Sequence, residues 1–339
     1  MIYTRGLKAD WDRIAADGNY GWSHDDVLQY YMKSERANLR GLKDSPWHGK
    51  NGELSVEDIP FRSKLSKAFL DAAKLLGNKR TDYNSPDGFG FSYIQATTSR
   101  GRRHSSAKAF LHDNKKRRNL HILTSSRVSK ILIDPTTKTA IGVQFIRNGK
   151  MYEIRAKKEV ILSAGPIESP HLLMLSGIGP KDHLESVGIP VIKNLPVGQT
   201  LYDHISFPAL AFKLNATRLT LVERKIATVE NVIQYMQFGD GPMSSLAGVE
   251  TIGYIRTNMS TEPAGFPDIE LIGSCAALAS DEGNIVAKGI HLEDWLYNSV
   301  YKPIENVESF TVLFMLLHPK SKGYMQLRTR NPFDDPKLY

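Results

Sequence analysis

Apolar positions along the chain change period several times, and each change marks an element. Trp11, Ile14 and Ala15 recur at helical spacing until Gly18-Asn19 breaks the pattern. Ser23, placed just ahead of Asp25 and Asp26, reads as a helix N-cap, and Val27, Leu28, Tyr31 and Met32 supply the stripe behind it. Residues 60–76 form another amphipathic helix stopped by Gly77-Asn78, and the polar, glycine-containing stretch 84–90 reads as a loop. A short helix is expected over 106–111. The pattern then turns β-rich at 120–123, 128–133 and 140–145, with Asp134-Pro135 as the turn between the last two.

Val160-Ile161-Leu162 predicts a further strand. A helix follows from Pro166, a second helix covers 180–187, and 188–191 returns to extended chain. From about Ser206 the character shifts: strands are expected at 208–214, 249–254 and 310–316, a helix at 229–238, and a turn at 240–242. The last residues, 332–339, read as loop, so the sequence looks cut rather than closed.

Composition narrows the function classes. With 339 residues, 41% hydrophobic and 24% charged, the chain has room for one large or two ordinary domains with real cores. The net charge of +8 sits partly in local runs, Arg100-Gly101-Arg102-Arg103 and Lys115-Lys116-Arg117-Arg118. These lack the aromatic interleaving of a single-strand nucleic-acid surface and read as solvated faces, so no nucleic-acid partner is expected. Cys275 is the one cysteine, which excludes an intrachain disulfide and a cysteine-rich metal site; its small, apolar neighbours point to a buried thiol. No apolar run is long enough to span a bilayer, and the first residues do not form a signal peptide. The triplets Asn215-Ala216-Thr217 and Asn258-Met259-Ser260 permit glycosylation if the chain is secreted.

The most informative run is 165–179, GPIESPHLLMLSGIG. It follows small residues, Ser163-Ala164-Gly165, at the end of the expected strand, where another object can approach the backbone closely. Pro166 and Pro170 suit a helix start, and Gly177 and Gly179 can stop the helix with positive φ. Ser169-Pro170 together with Ser176-Gly177-Ile178-Gly179 resembles the second signature of the glucose–methanol–choline (GMC) family of FAD-dependent oxidoreductases. Other segments follow that family in order, and the glucose-dehydrogenase-like branch of insects is the nearest pattern. Residues 1–6, MIYTRG, resemble the end of its first conserved block; Trp11-Asp12, Gly18-Asn19 and Gly21-Trp22-Ser23 match its next stretch. Residues 100–107 look like its arginine–serine segment, and 195–204, LPVGQTLYDH, is nearly its conserved turn, departing at Thr200 and Tyr202.

The resemblance implies an α/β, α+β mixed fold. An incomplete Rossmann-like FAD-binding domain (residues 1–34 and 120–205) would interleave with a substrate-side region (35–119) and a substrate domain (206–318) of antiparallel sheet plus helices. Residues 319–339 would open the C-terminal block. It implies FAD as cofactor, with Val128 holding the adenine through its backbone, Met1 and Ile2 lying against the flavin, and Ser163, Ala164 and Gly165 beside the cofactor. It implies hydride transfer from a sugar or small alcohol to the flavin, then to oxygen or another electron acceptor, in a protein expected to be extracellular when complete.

No G-x-G-x-x-G loop follows a strand, and none of the ten histidines stands in the family's catalytic motif. His171, His183 and His318 read as helix or strand histidines and His204 as part of the conserved turn. The expectation is therefore an inactive fragment that retains FAD weakly, with the proton-abstracting histidine encoded beyond Tyr339 and the dinucleotide loop before Met1. Two rivals stand beside it: a hydroxynitrile-lyase-type member on the same fold, and an FAD-free basic binding module.

Overall fold

The structure is a computed structural model of the 339-residue chain, and it describes all residues except 113, 208, 209 and 285. The chain divides into two compact units. One comprises Met1–Arg117 with His204–His318, the other Arg118–Asp203 with Pro319–Tyr339. The first unit includes residues 1–34, which the sequence reading grouped with 120–205.

The first unit is built around an antiparallel sheet. The strand Ser309–Leu316 pairs with Ile269–Ser274, that strand with Val249–Ile255, and that one with Phe91–Tyr93. Ile205–Phe207 and Ala211–Lys213 both pair with the outer edge of Ser309–Leu316. The expected strand at 208–214 is therefore present at Ala211–Lys213, with residues 208 and 209 outside the described residues. Because side chains alternate along a strand, the sheet carries two apolar faces. One packs Phe91, Tyr93 and Leu271 against Leu70 and Ala73 of the helix Lys64–Leu75. The other gathers Ile252, Tyr254 and Ile272 with Ile59, Tyr83 and Ile94, and Ile2, Leu313 and Met315 pack onto it.

Local chemistry sets the helix ends. Ser23 caps His24–Ser34 and forms a reciprocal capping box with Asp26. Ser63 caps Lys64–Leu75, and Gly239 closes Val229–Phe238 in the left-handed region. The helix Lys8–Ala16 ends ahead of Gly18.

The second unit contains the antiparallel meander Arg127–Ile133, Ala140–Arg147 and Lys150–Arg155. Asp134 holds the first turn through the N–H groups of Thr136 and Thr137. The helix Gly165–Leu175 follows; Ser176 at its end accepts the Ile131 N–H through Oγ and donates to Leu172 O. Met174, Leu175, Leu184, Ile189, Met325 and Leu327 form the core of this unit.

Four local expectations are corrected. Residues 120–123 and 160–162 are not strands: no other strand lies alongside either run among the described residues, and an isolated extended segment gains no ladder bonds. Ile161 is accordingly 78% exposed. Gly177 does stop the helix with φ +89°, whereas Gly179 forms a short strand with Asn194 and owes its place to close packing, a Cβ there meeting Met174 at 2.9 Å. Residues 332–339 are not all loop, since Lys337–Leu338 pairs with Met325–Gln326. The expected short helix at 106–111 is present, as the π-helical turn Ala107–His112.

Ser176 links helix end to meander at a buried position, so Ser176→Ala strands the Ile131 N–H. The expected loss is about 1–3 kcal/mol for an orphaned buried donor. Urea unfolding followed by fluorescence checks it; an unchanged midpoint would show that the bond contributes nothing.

Candidate functional site

Two features of the first unit hold chemistry, and the sequence-predicted cofactor residues are distributed over both units. The first feature is a buried chain of charges. Arg5 Nη2 donates to Glu35 Oε2 at 2.6 Å, His48 Nδ1 lies 3.0 Å from Glu35 Oε1, and His48 Nε2 lies 2.9 Å from Asp82 Oδ2. Glu35 is 0% exposed and His48 3%. Gly49 N–H also donates to Glu35, Arg5 Nη1 to Trp47 O, and Gln95 Nε2 to Asp82 Oδ1. Burial alone would pull the His48 pKa down. The hydrogen bonds to Asp82 and Glu35 outweigh it and raise the imidazole to about 9, while Asp82, despite burial, is held low by His48. Two cations thus face two carboxylates with their polar atoms satisfied, a structural arrangement with no open position for a reactant.

That chain of charges fixes the segment containing Met1 and Ile2. Tyr3 N–H donates to Gln95 O, Thr97 N–H donates to Met1 O, and Ile2 bridges to Ala96. Met1 is left 43% exposed while Ile2 packs against the sheet core.

The second feature is a cavity of about 320 Å³ at the end of the same sheet face. Val249, Ser274 and Thr311 form one cross-strand row on its wall, beside Leu313. Leu221, Met243 and Leu278 contribute further wall. The loop carrying Leu221 is clamped by Glu308, which accepts from the N–H groups of Arg218, Leu219 and Thr220, from Thr220 Oγ1 and from Lys225 Nζ. Burial would raise the Glu308 carboxyl; these donors, Lys225 and Thr220 foremost, hold it at about 2.

In the second unit, Val128 lies in Arg127–Ile133, an edge strand of the meander with a register irregularity between Val128 and Lys130. Its outer edge has no ladder partner strand among the described residues, which suits reading by another molecule's polar edge. Ser163, Ala164 and Gly165 are exposed at the start of the helix Gly165–Leu175, whose N-cap, Ala164, makes no side-chain cap bond. Gly165 has φ +91° with open space around the position a Cβ would take. Room at the helix start and a strand edge without a partner strand are what the structure shows at these sequence-predicted residues. Met1 and Ile2 belong to the other unit.

Three of the histidines are held by neighbours through one ring nitrogen. His171 is buried in its helix with Nδ1 3.2 Å from Glu168, His183 Nε2 accepts the Leu327 N–H, and His318 Nε2 sits 3.0 Å from Asp10. His204 is exposed. Cys275 is buried and its thiol is pushed up to about 12 by that burial, so it is a poor nucleophile. No helix among the described residues is long and apolar enough to cross a membrane. Sequence reasoning missed the Arg5–Glu35–His48–Asp82 chain and Thr311. Their separation in sequence leaves no spacing signal; only an acid and a histidine at positions of low predicted exposure could have hinted at the former.

The fold is mixed α/β. The profile described as GMC oxidoreductase matches residues 1–206, and the chain belongs to that family. It is 35% identical over 341 residues to a glucose dehydrogenase [FAD, quinone] of Drosophila melanogaster, covering 100% of this chain and 51% of that protein. It is 34% identical over 345 residues to an ecdysone oxidase of Bombyx mori, covering 100% of this chain and 50% of that one. Among solved structures, pyridoxine 4-oxidase from Mesorbium loti superposes with TM-score 0.75 at 25% identity, over 100% of this chain and 58% of that one. The chain spans about half the length of the curated relatives it matches.

His48 gives a pH signature. Its folded pKa, about 9, lies above the unfolded value of 6.5, so its contribution is fully present below pH 6.5 and is lost as pH rises through 9. The swing is on the order of 3 kcal/mol. Urea unfolding of the wild type should weaken across that window, and His48→Gln should flatten the dependence while lowering stability at neutral pH. Parallel pH curves for the two proteins would refute the assignment.

Proposed function

We propose that this chain is the flavin- and substrate-bearing part of an FAD-dependent oxidoreductase that acts on CH–OH groups of an alcohol or sugar. Membership of the GMC family over residues 1–206 carries the reading. The names of relatives support it, since the matched glucose dehydrogenases are described as using FAD and a quinone.

In this proposal Val128 offers its backbone to the adenine, Ser163, Ala164 and Gly165 leave room for the cofactor beside the helix start, and Met1 and Ile2 lie against the flavin ring. Bound FAD supplies the acceptor for hydride leaving the alcohol carbon. The chain's own residues bind and orient. The Arg5–Glu35–His48–Asp82 chain of charges holds the Met1–Ile2 segment in place, and the Glu308 clamp holds the Leu221 loop over the cavity. None of the ten histidines is assigned the alcohol proton. By itself the 339-residue chain is proposed to hold FAD weakly and to lack turnover, with oxygen or another carrier as acceptor in the whole protein and an extracellular location.

Flavin titration tests the cofactor assignment. Val128→Asp places a carboxylate where an adenine edge is proposed, and an unpaired partly buried charge costs several kcal/mol, roughly. The expected outcome is saturable quenching of FAD fluorescence by the wild-type chain and at least about tenfold weaker binding by the variant. Equal FAD affinity in a folded Val128→Asp protein would remove Val128 from the cofactor site. Substrate-dependent bleaching of flavin absorbance in the full protein tests the redox reading separately, and a lyase would leave the flavin oxidised.

A further inference from the structure

The helices Lys8–Ala16 and His24–Ser34 enclose a cleft of about 380 Å³ whose wall is dominated by four aromatic rings. Asn19 Nδ2 ties off the first helix by donating to Ile14 O, and Trp22 N–H donates to Asn19 O, with Gly21 at φ +84° between them. This turn folds Trp22 back onto Trp11. The two indoles lie 16° from parallel with their centroids 6.2 Å apart. On the second helix Val27, Tyr30, Tyr31 and Ser34 fall at i, i+3, i+4 and i+7, a single face, and all four line the cleft. Tyr31 meets Trp11 edge-on at 67°. Val27 is buried, whereas Trp22 is 55% and Tyr30 64% exposed. Two large rings held open to solvent around a cleft forgo burial that packing could have given them.

We propose that this cleft binds a small quaternary ammonium ion over the faces of Trp11, Trp22 and Tyr30. Aromatic faces are electron-rich and attract a cation placed over them, indole most strongly. A fully alkylated nitrogen carries its charge without an N–H, so it needs ring faces rather than hydrogen-bond acceptors. The wall answers that need. Trp11 Nε1 is spent on Arg5 O and Ser34 Oγ on Tyr31 O, and among the described residues no charged side chain lines the cleft. The surrounding charge has the matching sign. Residues 8–34 carry five aspartates against Lys8, Arg13 and Lys33, a net −2 in a chain of net +8. Screening over about 8 Å at physiological ionic strength makes the local sign the one a bound ion meets. Lys8 is itself held by Asp12, and Arg13 by Glu262 and Asp10. Arg5 already lies 5.7 Å over Tyr31, opposed by Glu35 at 2.6 Å, so Tyr31 is left out of the proposed contacts. A free sugar suits the cleft less, since its hydroxyls call for carboxylate or carboxamide partners and the wall has none. The cation site needs no flavin, so it stands or falls apart from the oxidoreductase proposal.

Titration of the 339-residue chain with tetramethylammonium, read as broadening of the ion's methyl signal by proton NMR, tests the site. Saturation at millimolar concentration is expected. The neutral tert-butanol, of similar size, should bind at least about tenfold more weakly. Trp22→Ala should weaken the ion about tenfold, and Trp22→Phe should keep it within about threefold because a ring face remains. Tyr30→Ala, at an exposed position, should weaken it about threefold while far-UV circular dichroism stays native. Phosphatidylcholine vesicles display the same trimethylated nitrogen on a surface, and the chain should not sediment with them. Absence of saturable binding of the free ion would overturn the assignment. So would equal affinity for tert-butanol, which would make the cleft a plain apolar groove. Full affinity in a folded Trp22→Ala or Tyr30→Ala protein would place the ion elsewhere. Sedimentation with the vesicles, without binding of the free ion, would replace the small-ion site by a lipid contact.

Discussion

The first unit depends on one buried run of charge, Arg5 to Glu35 to His48 to Asp82. A carboxylate with 0% exposure survives only when every lone pair is used, and Glu35 is met by a guanidinium, an imidazole and the Gly49 N–H. Each partner comes from a different piece of chain: the N-terminal segment, the strand Glu35–Asn38, the loop around His48, and the loop around Asp82. These pieces also share apolar surface, Tyr3 clustering with Ala37 and Leu39 and Ile2 packing onto the cluster that contains Tyr83. The network adds a polar constraint to that packing, and removing one member would leave an unpaired charge in the core rather than a simple gap. Ion pairs of this kind contribute more to register than to net stability. What they register here is the extended Met1–Tyr3 segment along Gln95–Thr97.

From that anchor the sheet does the rest. Its two faces solve different problems. The face under the helix Lys64–Leu75 is closed by Leu70, Ala73 and Phe91. The other face is closed over Ile252 and Ile272 and open at the Val249–Ser274–Thr311 row. The opening follows from local chemistry. Ser274 and Ser280 bond back to their own turns, Asp281 caps the next turn, and Glu308 draws the Leu221 loop into place. Small residues such as Ala276 and Ala277 then leave space that no larger side chain fills. A cavity lined in this way persists because its polar groups are satisfied without a ligand, with Thr311 the exception.

Legibility in the sequence tracked how local each cause was. The Ser23 cap, the helix stop at Gly77, the Asp134 turn and the turn at 240–242 are decided within a few residues, and the structure has them where the pattern put them. The strands Arg127–Ile133, Ala140–Arg147 and Val249–Ile255 were visible because each has a neighbour. Residues 120–123 and 160–162 have the same β-rich composition and no neighbour, and composition cannot report that difference. Val128 and the glycine at 165 were chosen on family resemblance, and the structure gives them an edge strand and an open helix start. The charge chain was silent because its links span 13 to 34 residues of sequence with no fixed spacing, and Thr311 because its informative property is the lack of a partner.

The two units also differ in how their apolar surface is used. The first has packed clusters on both faces of its antiparallel sheet and further clusters around Val56 and Tyr301. The second has one compact cluster around Met174 and Leu184, and a meander whose last strand, Lys150–Arg155, is exposed along its whole length. Apolar side chains such as Ile161, Met151 and Ile154 stand in solvent there. Exposed β-prone residues beside an unpaired strand edge favour addition of further strand, whether from a partner or from misassembly. Two bodies with separate cores and unequal burial need not unfold as one, so a single unfolding free energy for this chain would mix two transitions. The local charge and hydroxyl contacts of each unit are better assigned to the transition of the unit that contains them.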